Sequence, residues 1–289
     1  MKNAARLLLF LLAVSVLAGC APQAPQADIA ATTLPVYEFT SHLCRGTDLT
    51  VTQLVTENVS CLHDYSLSVT QVKALEAAQV VVLSGGGLED FMADLVKHKK
   101  VIDSSTGISL LESCHDHDHE HHHHEADAHF WLSPDCAKTM VTNICQGLIA
   151  QYPQHEARFC SNLKDLLGQL DALKAYADEQ LGSLSCREMI TFHDGFSYFA
   201  QAFDLHILAA LEEESGSEAS ASELKALITM TREHHLPAIF TEENGSDRSA
   251  NVIAADTGAK VYQLSTVMSG GNYFDLMYRN IDTIKEALG

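Results

Sequence analysis

Short apolar segments alternate with segments of helical periodicity along most of the chain, and this alternation limits the folds that it can adopt. Residues 80–83 (VVVL) form a continuous apolar run, which is typical of a strand buried on both faces. Before it, Ser68 is a suitable helix cap, and the apolar residues of segment 69–78 recur at helical spacing. Strands and helices that alternate in this way predict parallel sheets with helices on both faces.

One helical segment is much longer than the others. Residues 154–182 keep a helical period, whereas helices in globular proteins average about 11 residues. This segment divides the alternation into two halves. We therefore predict an α/β fold with two lobes, each a parallel sheet flanked by helices, joined by one long spine helix. The predicted parts are an N-terminal lobe over residues 28–150 with a histidine-rich loop at 112–128, a linking helix over 151–184 and a C-terminal lobe over 185–289.

The other elements are predicted from the same patterns. Predicted strands cover residues 29–33, 49–55, 80–83, 100–103, 188–192, 206–211, 238–241 and 260–264. Predicted helices cover residues 35–44, 69–78, 88–96, 134–148, 195–203, 222–235, 248–257 and 273–288.

The N-terminus has the features of a processing signal. A short basic region precedes an apolar run at residues 7–17, and the run ends in Leu17-Ala18-Gly19-Cys20, which resembles the lipobox of bacterial lipoproteins. We expect residues 1–19 to be a lipoprotein signal peptide, Cys20 to be lipidated and residues 20–27 to be an extended tether. The alternative is an ordinary cleaved signal with a cysteine there by chance.

Charge and cysteine content restrict the partners and the kinds of site. The formal net charge is −20, so the chain is not expected to bind nucleic acid, which is itself polyanionic. The sequence has no C-x-x-C motif, so a thiolate zinc site is not indicated. Outside the membrane disulfides can persist, and Cys44–Cys61 and Cys160–Cys186 are candidate pairs.

Three histidines lie where predicted strands end or soon after. His63 follows the second strand, His129 follows the fourth strand and the histidine-rich loop, and His193 ends the first strand of the second half. Ligands of open α/β sheets bind beyond the carboxyl ends of strands, so we expect the three to meet in a cleft between the halves. Three imidazoles suit Zn²⁺ and also copper or nickel, whereas Mn²⁺ favours more carboxylate.

A second group of histidines is expected to have a different role. These histidines lie in residues 115–124, a segment too polar to bury a core. The segment is interpreted either as a solvated, dispensable stretch that binds metals weakly or as a scavenger or sensor of zinc near the cleft. We assign it as an auxiliary metal loop, whose histidines are His115, His117, His119, His121, His122, His123 and His124.

The order of several motifs resembles the zinc-type solute-binding lipoproteins of ABC transporters, in the cluster for transition metals. The motifs are the lipobox, His63-Asp64-Tyr65, the histidine-rich loop, His129-x-Trp131-Leu132-x-Pro134, His193-Asp194-x-Phe196-x-Tyr198-Phe199, Phe240-Thr241-Glu242, and residues 256–261 (DTGAKV). The resemblance implies two lobes that hold Zn²⁺ between them, with His63, His129 and His193 as ligands. It also implies an ABC permease as partner and an extracytoplasmic location, anchored to the cell membrane through Cys20. We expect a monomer.

The chain departs from the family pattern at two positions. Many members carry an aspartate where this chain has Ser265, and many zinc members carry an acidic residue where it has Leu62. The fourth ligand is therefore left open between water, Glu242 and a residue of the loop. A site with more imidazole and less carboxylate favours Zn²⁺ over Mn²⁺.

Two other functions are compatible with three histidines. One is a surface metal buffer or adhesin that keeps the fold without transport. The other is a mononuclear zinc hydrolase, because three histidines with an open fourth position also describe catalytic zinc. The sequence has no H-E-x-x-H motif and no evident general base. We therefore expect capture and delivery of zinc rather than catalysis.

Overall fold

The computed structural model describes residues 27–57, 59, 62, 65–112, 126–211 and 219–289. Within these ranges no helix combines the length and the apolar character of a membrane span. The predicted signal peptide, residues 1–19, and the predicted lipidation site, Cys20, lie outside the described residues.

The N-terminal lobe is built on a four-stranded parallel sheet. Its strands are β1 (Ile29–Ala31), β2 (Val51–Gln53), β3 (Val80–Leu83) and β4 (Lys100–Asp103), in the order β2-β1-β3-β4. The apolar run of β3 pairs with β1 on one side and β4 on the other, as expected of a strand inside the sheet. A separate antiparallel pair, β5 (Leu111–Glu112) and β6 (Ala126–Asp127), follows.

The C-terminal lobe repeats this architecture. Its strands are β7 (Glu188–Thr191), β8 (His206–Ala210), β9 (Ala238–Glu242) and β10 (Lys260–Leu264), in the order β10-β9-β7-β8 and all parallel.

Helices cover both sheets and connect them. In the described ranges they are α1 (Leu34–Leu43), α2 (Val69–Ala77), α3 (Ala93–Val96), α4 (Pro134–Gln151), α5 (Glu156–Leu181), α6 (Ser197–Ala202), α7 (Ala221–Glu233), α8 (Arg248–Thr257) and α9 (Tyr273–Leu288). Their ends follow local chemistry: Ser68 and Gln71 form a capping box at the start of α2, and Gly258 ends α8 in the left-handed conformation at φ 81°.

The long helix α5 joins the two lobes. It packs against α1 and α4 of the first lobe and against α9 of the second. Its apolar face is buried at Phe159, Leu166, Leu170, Leu173 and Leu181. These side chains belong to one continuous core that includes residues of both sheets. The predicted fold class, two parallel α/β lobes joined by one long helix, is confirmed.

Two elements of the first lobe were not predicted correctly. The helix predicted over residues 88–96 is a 3-10 turn at Asp90–Met92 followed by the short α3. Glu89 has a non-helical backbone, and its carboxylate accepts hydrogen bonds from the amides of Ser84 and Gly85, so the helix starts later than predicted. The antiparallel pair β5–β6 was not predicted, because two-residue strands are too short to show a period.

The predicted pair of Cys160 and Cys186 is wrong, because both are free thiols. Cys160 lies near the start of α5 and Cys186 just beyond its end. A helix rises about 1.5 Å per residue, so roughly 30 Å separates Cys160 from the helix end at Leu181. The five residues from Leu181 to Cys186 are too few to return the chain to within the ~7 Å that a disulfide can bridge. Cys44 is also a free thiol, and Cys61 lies outside the described residues.

Candidate metal centre

Two of the three predicted histidine ligands meet between the lobes. His129 follows β6 and precedes the buried 3-10 turn Phe130–Leu132, while His193 lies just beyond β7, an inner strand of the second sheet. Their Nε2 atoms are 3.3 Å apart, and the rings are nearly perpendicular at 87°. Both side chains are buried, with exposed fractions of 4% for His129 and 6% for His193.

The separation of the two nitrogens suits a shared metal ion. Nitrogens that each lie ~2.0–2.1 Å from a tetrahedral Zn²⁺ are about 3.3–3.4 Å apart. The observed distance between the two Nε2 atoms, 3.3 Å, agrees with that value. The two imidazoles are therefore arranged so that one ion can contact both without a change in their spacing.

Asp127 fixes the orientation of His129. Its Oδ1 accepts a hydrogen bond from the backbone amide of His129 at 2.8 Å and lies 2.9 Å from the Nδ1 of the ring. The Asp127 side chain is fully buried. A carboxylate on Nδ1 keeps a proton on that nitrogen and leaves the lone pair of Nε2 free for a metal. Asp127 was not among the predicted site residues, although the Asp-x-His spacing is present in the sequence.

Glu242, the candidate fourth ligand, lies on the side of the His193 ring away from His129. Its Oε2 is 3.8 Å from Nδ1 of His193, and its Oε1 accepts a hydrogen bond from Thr266 at 3.0 Å. Because His193 turns Nε2 towards His129 and Nδ1 towards Glu242, the carboxylate lies behind the imidazole ring. This geometry favours electrostatic support of His193 over direct contact with an ion.

Ser265, at the position where many family members carry an aspartate, uses its side chain to bind the backbone. Its hydroxyl accepts a hydrogen bond from the amide of Val267 at 3.1 Å. The side chain of Asn280 pairs with both the N–H and the carbonyl oxygen of Ser265. The hydroxyl therefore stabilises a turn.

A glycine leaves room beside the imidazoles. A Cβ atom at Gly195 would lie 2.6 Å from Nε2 of His193 and 2.9 Å from Cε1 of His129. Real Cβ atoms do not approach other heavy atoms this closely, so any larger residue at position 195 would have to displace one or both rings.

Hydrogen bonds join the two lobes around the paired imidazoles. Trp131 donates its indole N–H to the carbonyl oxygen of Thr266 at 2.8 Å, and Tyr273 donates its hydroxyl to the carbonyl oxygen of Trp131 at 2.7 Å. Tyr198 accepts a hydrogen bond from the amide of Leu111 at 2.8 Å. Burial raises the pKa of Tyr198 to about 12, so its phenol stays protonated at neutral pH.

The remaining predicted site residues lie outside the described residues. These are His63 and the seven histidines of the auxiliary loop: His115, His117, His119, His121, His122, His123 and His124. In the part of the chain that the structure describes, no three metal-binding side chains are grouped around one point. His129 and His193 form a pair there, and the third ligand stays a prediction.

Comparison with known proteins identifies the family. Residues 29–287 match the family of zinc-uptake complex component A, periplasmic (ZnuA). The chain belongs to this family. Membership makes it a substrate-binding component of an ABC uptake system rather than an enzyme, and it implies an extracytoplasmic location and a permease partner.

Individual ZnuA relatives agree with this assignment. The chain is 28% identical to the high-affinity zinc uptake system protein ZnuA of Bacillus subtilis, over 90% of this chain and 87% of that protein. It is 32% identical to the zinc-binding lipoprotein AdcA of Streptococcus pneumoniae (strain ATCC BAA-334 / TIGR4), where it covers 60% of the longer relative. A crystal structure of ZnuA superposes with a TM-score of 0.80 at 30% identity, over 91% of this chain and 100% of that one.

Proposed function

We propose that the chain captures Zn²⁺ between its two lobes through the imidazoles of His63, His129 and His193 and delivers the ion to a membrane permease. The observation that supports this most is the 3.3 Å separation of the Nε2 atoms of His129 and His193. These residues come from different lobes, so an ion bound to both would be held at the contact between them. His63 completes the proposed ligand set.

The fourth position is proposed to be open to water. Glu242 remains the alternative ligand, but its place on the Nδ1 side of His193 supports a role behind the ring. Three imidazoles and one solvent position give a site with little carboxylate, which favours Zn²⁺ over Mn²⁺. Because water at the fourth position can exchange, a group of the permease could replace it and remove the ion.

The histidines of the auxiliary loop are proposed to raise the local zinc concentration near the cleft. We propose that this loop binds zinc more weakly than the paired imidazoles, because His129 and His193 are buried and neighbouring side chains restrict their rings before an ion binds. This difference supports transfer from the loop to the paired imidazoles.

Anchoring through Cys20 and a monomeric state complete the proposal. The relative AdcA is named a lipoprotein, and the sequence at residues 17–20 (LAGC) has the form of a lipobox. A lipidated Cys20 followed by the tether of residues 20–27 would keep the protein at the cell membrane, next to its permease.

Zinc titration of the wild type and single histidine variants tests the proposal. Calorimetry at pH 7.5 should show one tight site whose affinity falls at least ~100-fold in His129→Ala and in His193→Ala, because each change removes one of the few ligands of the ion. His63→Ala should behave in the same way. His206→Ala is the matched control, since His206 is exposed at the start of β8, and it should bind as the wild type does.

The pH dependence gives a second readout of the same experiment. Imidazole has an ordinary pKa of about 6.5, and only the neutral form binds a metal. The affinity should therefore fall when the titration is repeated at pH 5.5. Equal affinity at both pH values, or tight binding by the double variant of His129 and His193, would refute histidine ligation.

A further inference from the structure

The turn after β10 has a strained backbone that several side chains hold in place. Val267 has a φ of +61°, a region that β-branched residues rarely occupy. The turn is stabilised by the hydroxyl of Ser265, which accepts from the amide of Val267, and by the carboxamide of Asn280, which pairs with the backbone of Ser265. Strain of this kind persists only where the surrounding structure requires the conformation, and it is concentrated at functional sites.

Thr266, in the strained turn, forms hydrogen bonds with residues of both lobes. Its hydroxyl donates to Oε1 of Glu242 at 3.0 Å, and its carbonyl oxygen accepts from the indole of Trp131 at 2.8 Å. Glu242 lies behind His193, and the Trp131 ring lies 5.2 Å from the ring of His129. Thr266 therefore contacts a neighbour of each paired imidazole, and it is itself only 3% exposed.

The hydroxyl of Thr266 has a specific electrostatic consequence. A glutamate side chain has several rotatable bonds, and a hydrogen bond to Oε1 restricts them so that Oε2 faces Nδ1 of His193. An imidazole that binds a metal through Nε2 gains positive charge, and a fixed carboxylate on its Nδ1 side stabilises that charge. Without the hydroxyl, Oε1 would lose a buried hydrogen-bond donor, and with it one of the contacts that set the orientation of the carboxylate.

We propose that Thr266 is a positioning residue for metal capture, which acts by holding Glu242 behind His193. This inference rests on the proposed function, because it assumes that His193 binds zinc. It assigns Glu242 to the support of a ligand and makes the zinc affinity depend on a hydroxyl that does not contact the ion.

Three variants of the full-length chain test this inference. Thr266→Val removes the hydroxyl but keeps the branched shape and the carbonyl group that pairs with Trp131. We expect it to weaken zinc binding about 10-fold, the lower end of the effect that outer-shell changes produce. Thr266→Ser restores a hydroxyl and should restore the affinity. The matched control is Thr231→Val, a buried threonine of α7 whose hydroxyl donates to Leu227 of its own helix, and it should bind zinc as the wild type does.

A double-mutant cycle separates this role from a general effect on structure. If Thr266 acts through Glu242, Thr266→Val should have no further effect on zinc affinity in a Glu242→Gln background. An equal loss in both backgrounds would overturn the inference, as would wild-type affinity in Thr266→Val. If Thr266→Val does not fold, Glu242→Gln alone must still weaken binding about 10-fold, and unchanged binding would overturn it. A wild type that fails to bind zinc would instead overturn the proposed function itself.

Discussion

At the scale of single residues, the paired imidazoles depend on neighbours that restrict their positions. Asp127 holds Nδ1 of His129, and Glu242 faces Nδ1 of His193, so each ring has a carboxylate on the side away from its partner. Rings held in this way need little rearrangement to bind an ion, which lowers the entropy cost of capture.

Gly195 gives a direct test of how closely the site is packed. A Cβ atom there would lie 2.6 Å from Nε2 of His193, the nitrogen that is proposed to bind zinc. Gly195→Ala should therefore displace one or both rings and weaken zinc binding at least ~10-fold, the lower end of the loss that follows when the groups around metal ligands are changed. Calorimetric titration measures this change, with Gly168→Ala as the control, because nothing lies within 4 Å of a Cβ atom at Gly168. Equal affinity in the two variants would mean that a Cβ atom at position 195 does not displace the rings of His129 and His193.

Glu89 is a buried carboxyl whose titration should appear in the stability of the protein. It accepts hydrogen bonds from the Thr32 hydroxyl and from the amides of Ser84 and Gly85. Burial outweighs these bonds and raises its pKa to about 7, with a smaller contribution from the charge of Asp103. Between the ordinary pKa and the raised value, the folded protein holds a proton that the unfolded chain has lost. This carboxyl therefore makes the free energy of unfolding fall as pH rises from about 5 to 7.

The variant Glu89→Gln removes this titration. The difference in the free energy of unfolding between wild type and variant should shift by roughly 2 kcal/mol in favour of the variant between pH 5 and pH 7.5. Urea unfolding at the two pH values measures it. A difference that does not change with pH would mean that Glu89 keeps an ordinary pKa in the folded protein.

At the scale of elements, α5 couples the stabilities of the two lobes. It packs on helices of both, and Leu170 is fully buried in the core that they share. Leu170→Ala should lower the free energy of unfolding by about 2–5 kcal/mol, while the exposed neighbour Gln169→Ala should change it by less than ~0.5 kcal/mol.

Two probes of the same urea unfolding show whether the lobes unfold together. The fluorescence of the single tryptophan, Trp131, reports on the contact between lobes, and circular dichroism reports on all helices. The urea concentration at the midpoint of unfolding should fall by the same amount in both signals in Leu170→Ala. Two separate transitions would contradict a core that is continuous through α5.

Local chemistry made most elements predictable from the sequence. The strands at residues 80–83, 100–103 and 260–264 agree with the prediction, and Gly258 ends α8 as expected. The 3-10 turn at Asp90–Met92 was missed because Glu89 makes its hydrogen bonds with a loop that precedes it. A helical pattern does not show such competing contacts.

At the scale of the whole molecule, the candidate site was predictable only in part. The strand-end rule places His129 and His193 at comparable positions in two lobes, and the structure brings them together. The contact of Trp131 with Thr266 joins residues that are 135 positions apart. Such a contact depends on how the lobes pack on α5, which the periodicity of single segments does not show.

The packing of the two lobes also limits how far they can move when zinc binds. The shared core on α5 and the hydrogen bonds of Trp131, Tyr273 and Tyr198 all join the lobes. Capture should therefore need small side-chain adjustments, and the site should be formed largely before the ion arrives.

A crystal structure of the zinc-loaded protein, with anomalous scattering measured at the zinc edge, would show whether the two lobes share one zinc ion. We predict one strong anomalous peak between the lobes, ~2.0–2.1 Å from Nε2 of His129 and Nε2 of His193 and equally close to a ring nitrogen of His63. A fully occupied zinc peak elsewhere, with either His129 or His193 outside bonding distance of it, would refute zinc binding between the paired imidazoles.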